Sequence, residues 1–129
     1  MGMGMDFETR IELLIKAIRT LANRKIAIEK EIKDLQSELM KLNPQKGWVE
    51  LKPVRNKVGK VYHYWYYRFR ENGKVRNVYL GHRIPSSLLN GFKDRARAKL
   101  ITSRLRELYE ELIRIERAID TAEFAIHNI

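Results

Sequence analysis

Apolar side chains recur at steps of three and four residues through the first third of the chain, and one lysine interrupts the series. A 3.5-residue repeat is typical of the seam between long paired helices, because every seventh residue returns to the same face. Asp6 is a suitable helix N-cap, and Asn43-Pro44 stops a helix. The pattern predicts a helix over residues 6–43 with a seam formed by Phe7, Ile11, Leu14, Ile18, Leu21, Lys25, Ile28, Ile32, Leu35, Leu39 and Leu42.

The same repeat returns in the last third of the chain. Ser86 or Ser87 is a suitable helix start, but Gly91 lies inside the helical pattern, where glycine is unfavourable. We therefore expect residues 86–93 to form a short separate helix or a kinked first turn, and the long helix to begin near residue 94. The second seam consists of Ala98, Ile101, Leu105, Leu108, Leu112, Ile115, Ile119, Ala122, Ile126 and Ile129.

Two heptad helices around a compact insert predict an α+β chain. The expected fold is a long antiparallel helical hairpin, or coiled coil, with a small antiparallel sheet of two or three strands at its tip. The expected segments are 1–43, 44–85 and 86–129. Apolar side chains off the seams favour a homodimer through a four-helix bundle, and the alternative is a monomer with scattered surface residues. These off-seam residues are Leu13, Ile15, Ile26, Met40, Ile113 and Phe124.

Between the helices the pattern changes to that of a β-hairpin. Residues 61–70 are rich in aromatic and β-branched side chains, as strands are. Asn72-Gly73 follows, a strong hairpin signal because both turn positions need positive φ. Residues 75–80 form the return strand. The turn predicts a register that pairs Glu71 with Lys74, Phe69 with Arg76, Tyr67 with Val78 and Trp65 with Leu80.

A third strand and the two faces of the sheet follow from the same alternation. Residues 48–54 form the third strand, in which Pro53 favours an edge, and residues 57–60 form the turn. The face with Val61, Trp65, Tyr67 and Phe69 is apolar and is expected to pack on the helices. The other face carries Tyr62, Tyr64, Tyr66, Arg68 and Arg70, opposite Gly81, Tyr79, Asn77 and Val75.

The positive charge is concentrated in this insert. The chain has 26 lysine and arginine residues against 16 aspartate and glutamate residues, and a formal net charge of +10. Residues 44–97 carry 13 basic and three acidic side chains, whereas the flanking segments are nearly neutral. Such segregation predicts one basic surface for an anionic partner, although many charged stretches are only solvated.

Tyrosine and arginine on one strand face offer phosphate contacts, base-edge hydrogen bonds and stacking, and a β-ribbon enters the major groove of DNA. The alternative is a tyrosine ladder that covers another layer of protein. Lys93, Arg95 and Arg97 are further candidates for contacts with the sugar-phosphate backbone of flanking DNA. The predicted nucleic-acid-binding residues are Lys52, Arg55, Lys57, Lys60, Tyr62, Tyr64, Tyr66, Arg68, Arg70, Lys74, Arg76, Asn77 and Tyr79.

The motif Tyr64-Trp65-Tyr66-Tyr67-Arg68, Gly73-Lys74 and Tyr79-Leu80-Gly81 resembles a module of small uncharacterised proteins of archaea and mobile elements. It is loosely similar to the arm-type three-stranded DNA-binding domains of tyrosine recombinases. The resemblance covers residues 47–97 and implies DNA binding by the sheet. No recombinase catalytic region follows, so strand cleavage by Tyr79 is not implied.

Catalytic and metal-binding patterns are missing from the sequence. The sequence contains no cysteine and no phosphate-binding glycine loop. The three histidines, His63, His82 and His127, lie far apart in the sequence and lack the spacing of metal ligands. We therefore expect no enzyme activity, no cofactor, no metal and no small-molecule substrate.

No apolar run approaches the roughly 18 residues of a membrane span, and residues 1–5 lack the segments of a signal peptide. These features favour a soluble cytoplasmic protein, nucleoid-associated if its source is a prokaryote.

The sequence leads to a non-enzymatic DNA-binding protein with a chromatin-organising or regulatory role, and two alternatives remain open. The same tyrosines suit the stacking of unpaired RNA bases, so an RNA-binding module is the first. A coiled-coil adaptor whose hairpin binds an acidic protein is the second. Duplex DNA is favoured because the cationic side chains outnumber what stacking requires.

Overall fold

The computed structural model of the chain describes residues 6–128. It contains two long helices with a three-stranded antiparallel sheet between them in the sequence, which confirms the α+β class. Residues 1–5, on which the expected lack of a signal peptide rests, and the predicted seam residue Ile129 lie outside the described residues. The elements are α1 (Phe7–Lys41), β1 (Trp48–Arg55), β2 (Val61–Glu71), β3 (Lys74–Gly81) and α2 (Ser86–His127).

The described residues form two compact units. A helical unit comprises the described residues up to Met40 together with those from Ile101 onward. A sheet unit comprises Lys41–Leu100 and includes the first turns of α2. The division into the segments 1–43, 44–85 and 86–129 stays a prediction.

The start of α1 agrees with the predicted cap. The Asp6 side chain accepts a hydrogen bond from the Thr9 backbone N–H at 2.8 Å, which satisfies a donor that the first helical turn leaves unpaired. These bonds from Thr9 lower the pKa of the Asp6 carboxyl. The helix ends at Lys41, two residues before the predicted end.

Seam residues of both helices form the core of the helical unit. Ile28, Ile32, Leu108 and Ile115 are buried together, and Leu108 has no exposed surface. The seam is therefore confirmed at its centre, whereas Phe7 at its start is 57% exposed. The partly buried side chains packed against this cluster are Leu21, Leu35, Leu105, Leu112 and Ile119.

Cross-helix pairs show that the two helices are antiparallel. Lys25 Nζ lies 3.7 Å from a carboxylate oxygen of Glu116. Gln36, farther along α1, donates to the Tyr109 hydroxyl, which comes earlier in α2. Lys25 thus extends from its seam position to a carboxylate of the other helix, as long side chains at helix interfaces do. The supercoil of a coiled coil stays a prediction.

The side chains that lie off the seams are exposed. All six, from Leu13 to Phe124, lie at the surface, with Ile26 66%, Met40 87% and Phe124 69% exposed. They are apolar surface that the described part of the chain does not cover. The predicted dimer would cover it, but scattered exposed apolar residues are also common on monomers.

The sheet has the order β1-β2-β3, with β2 in the centre. Asn72 and Gly73 both have positive φ, 50° and 76°, as the predicted tight turn requires. The predicted pairs Tyr67–Val78, Phe69–Arg76 and Glu71–Lys74 are confirmed. Pro53 lies in the edge strand β1, where a missing N–H leaves no gap in the ladder.

The predicted register is wrong at one end of the hairpin. Trp65 pairs with Gly81 instead of Leu80, whereas Tyr66 keeps its partner Tyr79. Leu80 is therefore the extra residue of a β-bulge, which no short-range turn signal announces. In consequence Gly81 is not opposite Tyr64 as predicted.

One face of the sheet packs on the first turns of α2, and we call it the helix-side face. Its central residue, Tyr67, is buried, with its ring 5.0 Å from that of Phe69 and 6.2 Å from that of Phe92 in α2. The Tyr67 hydroxyl donates to the Lys46 carbonyl at 2.6 Å and accepts from Gln45 Nε2 at 2.7 Å. The apolar face predicted to pack on a helix is therefore confirmed at its centre.

Residues 86–93 are the first turns of α2, so the expectations of a separate short helix and of a start near residue 94 are wrong. The alternative of a kinked first turn stays a prediction. The Gln45 backbone N–H donates to the Gly91 carbonyl at 2.9 Å. A Cβ atom at position 91 would collide with the side chain of Gln45. Gly91 is therefore explained by the close approach of another segment, and not by a break in the helix.

Candidate nucleic-acid interface

The opposite face of the sheet, which we call the outer face, holds most of the predicted binding residues. The register of the three strands brings Lys52 opposite Tyr64, Tyr66 opposite Tyr79 and Arg68 opposite Asn77. Because side chains alternate between the faces of a strand, this register defines the whole set. The outer face comprises Trp48, Glu50, Lys52, Val54, Tyr62, Tyr64, Tyr66, Arg68, Arg70, Val75, Asn77 and Tyr79.

Four tyrosine rings form a continuous row across this face, from Tyr62 through Tyr64 and Tyr79 to Tyr66. Tyr62 and Tyr64 stack with ring centroids 6.2 Å apart. Tyr79 makes edge contacts with Tyr64 at 5.7 Å and with Tyr66 at 5.6 Å. None of the four is buried, and Tyr79 is 60% exposed. The tyrosine row is therefore accessible from outside the chain, most of all at Tyr79.

Lysine ammonium groups lie against two rings of the row. Lys52 Nζ is 5.5 Å from the Tyr66 ring centroid, and Lys60 Nζ is 5.2 Å from that of Tyr62. Such cation–π contacts hold the charges close to the sheet. The predicted residues Lys52 and Lys60 are thus brought together with the tyrosines.

Arg68 is held by two neighbours on β1. Its Nη1 donates to Glu50 Oε1 at 3.1 Å, and its guanidinium carbon lies 5.8 Å from the Trp48 ring centroid. The Trp48 indole N–H donates to Glu50 Oε1 at 2.9 Å. Lys52 Nζ lies 3.9 Å from Glu50 Oε2.

The hydrogen bond from Trp48, together with the hydrogen bond and charge of Arg68, lowers the pKa of the Glu50 carboxyl. Glu50 is therefore ionised at neutral pH. An ionised carboxylate at this position offsets part of the positive charge of Arg68 and Lys52.

The remaining predicted cations lie at the two ends of the sheet. Arg55, Lys57 and Lys60 surround the β1–β2 turn, and Arg70, Lys74 and Arg76 surround the β2–β3 turn. Within residues 6–128, no carboxylate oxygen lies within 4.0 Å of the charged nitrogens of these six side chains.

These end cations do not all share the outer face. The strand register places Arg70 there, whereas Arg55, Lys74 and Arg76 lie at positions of the helix-side face. Their side chains are exposed, so they are placed at the rim of the sheet.

The β1–β2 turn is ordered by its own side chains. The Asn56 Oδ1 atom accepts hydrogen bonds from the backbone N–H groups of Val58 at 3.1 Å and Lys60 at 2.9 Å. Gly59 has a φ of 85°. An Asx-type turn of this kind fixes the backbone from which Lys57 and Lys60 project.

The predicted clamp on α2 is only partly free. Arg95 donates to the carbonyls of Gln45 at 3.1 Å and Gly47 at 2.7 Å, and its guanidinium lies over the Phe92 ring. Arg97 also interacts within the chain. Lys93 is exposed. The arginine at 95 therefore fixes the segment that enters β1.

Sequence reasoning missed three residues of the interface. Trp48 and Glu50 border the tyrosine row, and the His82 ring lies 5.0 Å from that of Tyr64. The signal available for β1 was alternation, which places Trp48, Glu50 and Lys52 on one face once its pairing with β2 is known.

No group of three or more His, Asp and Glu side chains within residues 6–128 is arranged to hold a metal ion. Neither of the two described helices has an apolar stretch long enough to cross a membrane.

No protein-family model, curated protein or solved structure matches this chain. The resemblance to archaeal and mobile-element proteins and to recombinase arm-type domains stays a prediction.

Proposed function

We propose that this chain is a non-enzymatic protein that binds double-stranded DNA through the outer face and the rim of its sheet. The supporting observation is the accessible tyrosine row on a sheet whose two turns carry six cations with no carboxylate within 4.0 Å among the described residues. A chromatin-organising or regulatory role in the cytoplasm, or at the nucleoid of a prokaryote, belongs to the same proposal.

The charge of the sheet unit supports a polyanionic ligand. Lys41–Leu100 contains 15 lysine and arginine residues and three acidic residues, a net charge of +12. The rest of the chain has a net charge of −2. If five or six of these cations contact phosphates, the slope of log affinity against log salt is about −5, from about 0.9 per phosphate.

The dimensions of the sheet suit a major groove. Two strand spacings put the outer strands about 10 Å apart, and the groove is about 12 Å wide. The tyrosine hydroxyls and Asn77 then face base edges, and the cations at the two turns face the sugar-phosphate strands on either side. Tyrosines and Asn77 on the outer face, with cations at the two turns, fit that division of contacts.

Duplex DNA is favoured over unpaired RNA by the surroundings of the rings. Lys52 and Lys60 lie over the rings of Tyr66 and Tyr62, and Tyr62 stacks on Tyr64. Bases that stack on these rings would have to displace the lysines. Tyr79 is the most exposed ring of the tyrosine row, and its exposure favours the RNA alternative. Competition between a labelled duplex and an unlabelled single-stranded RNA of equal length distinguishes the two ligands. If the RNA displaces the duplex more effectively than unlabelled duplex does, the RNA alternative replaces the proposal of DNA binding.

The adaptor alternative is distinguished by what accompanies the protein during purification. A nucleic-acid binder of this charge carries nucleic acid at low salt, visible in its ultraviolet absorption. Protein that is free of nucleic acid at low salt would favour an acidic protein partner instead.

A homodimer through the helical unit is part of the proposal. The exposed apolar side chains of Ile26, Ile113 and Phe124 favour it. A dimer would present two sheets, for two half-sites or two duplexes. Light scattering tests it: Phe124→Glu is expected to shift a dimer towards monomer, and a wild-type monomer at all concentrations would refute it.

The deciding experiment measures binding of a labelled random-sequence duplex at two salt concentrations. Arg70→Gln is expected to reduce the magnitude of the salt slope by about 1 and to weaken binding, because it removes one phosphate contact. Arg106→Gln, the same change at an exposed arginine of the helical unit, is the matched control and leaves both unchanged. Equal effects of the two variants, or binding without salt dependence, would contradict the proposal.

A further inference from the structure

Arginine–glutamate pairs of the helical unit use the full hydrogen-bonding fork of the guanidinium. Arg24 donates through Nε at 2.8 Å and Nη2 at 2.9 Å to the two oxygens of Glu111. Arg104 donates through Nε at 2.7 Å and Nη2 at 3.2 Å to the two oxygens of Glu31. These bidentate pairs are the geometry that arginine and carboxylate adopt when each is the other's ligand.

The pair on the outer face differs from both. Only Nη1 of Arg68 bonds Glu50, at 3.1 and 3.2 Å from its two oxygens. The Nε atom of Arg68 is shielded and has no partner. Nη2 makes no hydrogen bond within the described residues and is not among the shielded atoms. The guanidinium therefore keeps an accessible donor that the chain leaves unused.

Glu50 and Trp48 fix the direction of that donor. Glu50 is itself held by the Trp48 indole N–H, and Trp48 lies beside the guanidinium. An arginine that is already ordered loses less side-chain entropy when it binds. Glu50 is paired with Tyr66, and Tyr66 with Tyr79, so the unit lies next to the centre of the tyrosine row.

The charge of Glu50 opposes simple phosphate binding. It is the one acidic side chain among the strand positions of the outer face, all of which are described. A carboxylate near phosphates is repulsive and weakens sequence-independent affinity. A residue that lowers general affinity while orienting a donor is expected where discrimination between ligands matters.

We infer that Arg68, oriented by Glu50, reads a guanine in the major groove. Nη2 of Arg68 donates to the O6 acceptor of the base, and Glu50 acts as a positioning residue that keeps the guanidinium directed at it. Guanine offers two acceptors on this edge, whereas adenine at the same place offers one acceptor and a donor that arginine repels. The inference rests on the proposed DNA binding and adds sequence preference to it.

The test is selection of preferred sites from a library of random duplexes, followed by binding to the selected site and to copies with one G·C pair replaced by A·T. The wild type is expected to prefer G·C at one position by about tenfold, near the lower end of what arginine–guanine contacts give. Arg68→Lys keeps the charge and is expected to lose most of that preference. Glu50→Gln removes the orienting charge and is expected to bind all sequences more tightly with a preference reduced several-fold.

Two control variants separate base reading from charge and from folding. Lys52→Gln removes a charge from the same face and is expected to weaken all sequences equally. Glu31→Gln disrupts a bidentate pair of the helical unit and leaves the preference unchanged. The fluorescence of Trp48 and Trp65 shows whether the sheet of each variant is intact.

Each outcome decides between the two claims. Wild-type binding without any base preference, or an unchanged preference in Arg68→Lys, overturns the inference and leaves DNA binding standing. Failure of the wild type to bind any duplex overturns the proposed function and the inference together.

Discussion

Two arginines of the helical unit and three arginines of the sheet unit differ in how completely the chain satisfies them. Arg24 and Arg104 each make two hydrogen bonds to one carboxylate across the helices. In the sheet unit, Arg55, Arg70 and Arg76 have no carboxylate within 4.0 Å among the described residues. Arg24 and Arg104 therefore tie the two helices of the helical unit together. Arg55, Arg70 and Arg76 instead remain available to an external anion.

The largest expected effect is on the stability of the helical unit. Leu108→Ala removes a side chain with no exposed surface from the centre of the helical unit. The cavity is expected to lower the free energy of unfolding by about 2–5 kcal/mol. Urea denaturation followed by far-ultraviolet circular dichroism measures it.

Leu100→Ala is the matched control, because Leu100 is 65% exposed. Its effect is expected to stay within about 0.5 kcal/mol. Similar losses of unfolding free energy in the two variants would show that the seam residues do not form the stabilising core of the helical unit.

Two tyrosines of the sheet separate stability from binding. Tyr67→Phe removes a hydroxyl that makes two hydrogen bonds on the helix-side face. It is expected to destabilise the sheet unit by about 1–2 kcal/mol, because the Lys46 carbonyl and the Gln45 amide lose a partner. Denaturation followed by tryptophan fluorescence measures this change, since both tryptophans lie in the sheet unit.

Tyr79→Phe is expected to behave in the opposite way. The hydroxyl of this exposed ring makes no hydrogen bond within residues 6–128, so stability changes by less than about 0.5 kcal/mol. Duplex binding, measured by fluorescence anisotropy, is expected to weaken a few-fold. A destabilised Tyr79→Phe with unchanged binding would reverse the roles of the two faces.

The smallest effect concerns the pH dependence of the helical pairs. Hydrogen bonds from Arg104 and Arg24 lower the pKa values of the Glu31 and Glu111 carboxyls. A lowered pKa in the folded state means that the ionised form stabilises the fold above the ordinary glutamate pKa of about 4.3 and that this contribution is lost as the pH falls below it.

Glu31→Gln/Glu111→Gln is therefore expected to be less stable than the wild type near neutral pH and to approach it in acid. Urea midpoints across a pH series measure the difference. The control is Glu12→Gln, which alters an exposed glutamate of α1 without an ion pair among the described residues. A constant difference between double variant and wild type at all pH values would exclude the ion pairs as its cause.

Local patterns in the sequence predicted the elements well. The heptad spacing identified Ile28, Ile32, Leu108 and Ile115 as core positions, and Asn72-Gly73 fixed most of the hairpin register. Both signals act over short distances along the chain, where periodicity and turn geometry are decisive.

Features that depend on distant segments were not predictable in the same way. The tolerance of Gly91 inside α2 depends on Gln45, which approaches from the loop before β1. The Glu50–Arg68 pair depends on the register of β1 against β2, and the longer turn between them does not fix it as a two-residue turn would. The predicted binding residues themselves stay a prediction, although the structure brings eight of them to one face.

The bulge at Leu80 has a consequence for the free margin of the sheet. A tyrosine-rich, β-prone ribbon with open outer strands invites other chains to extend it into fibres. An extra residue twists β3 away from straight pairing, and Pro53 removes an N–H donor from the opposite margin. The bulge and the proline thus disfavour edge-to-edge pairing between molecules, although the sheet exposes aromatic side chains.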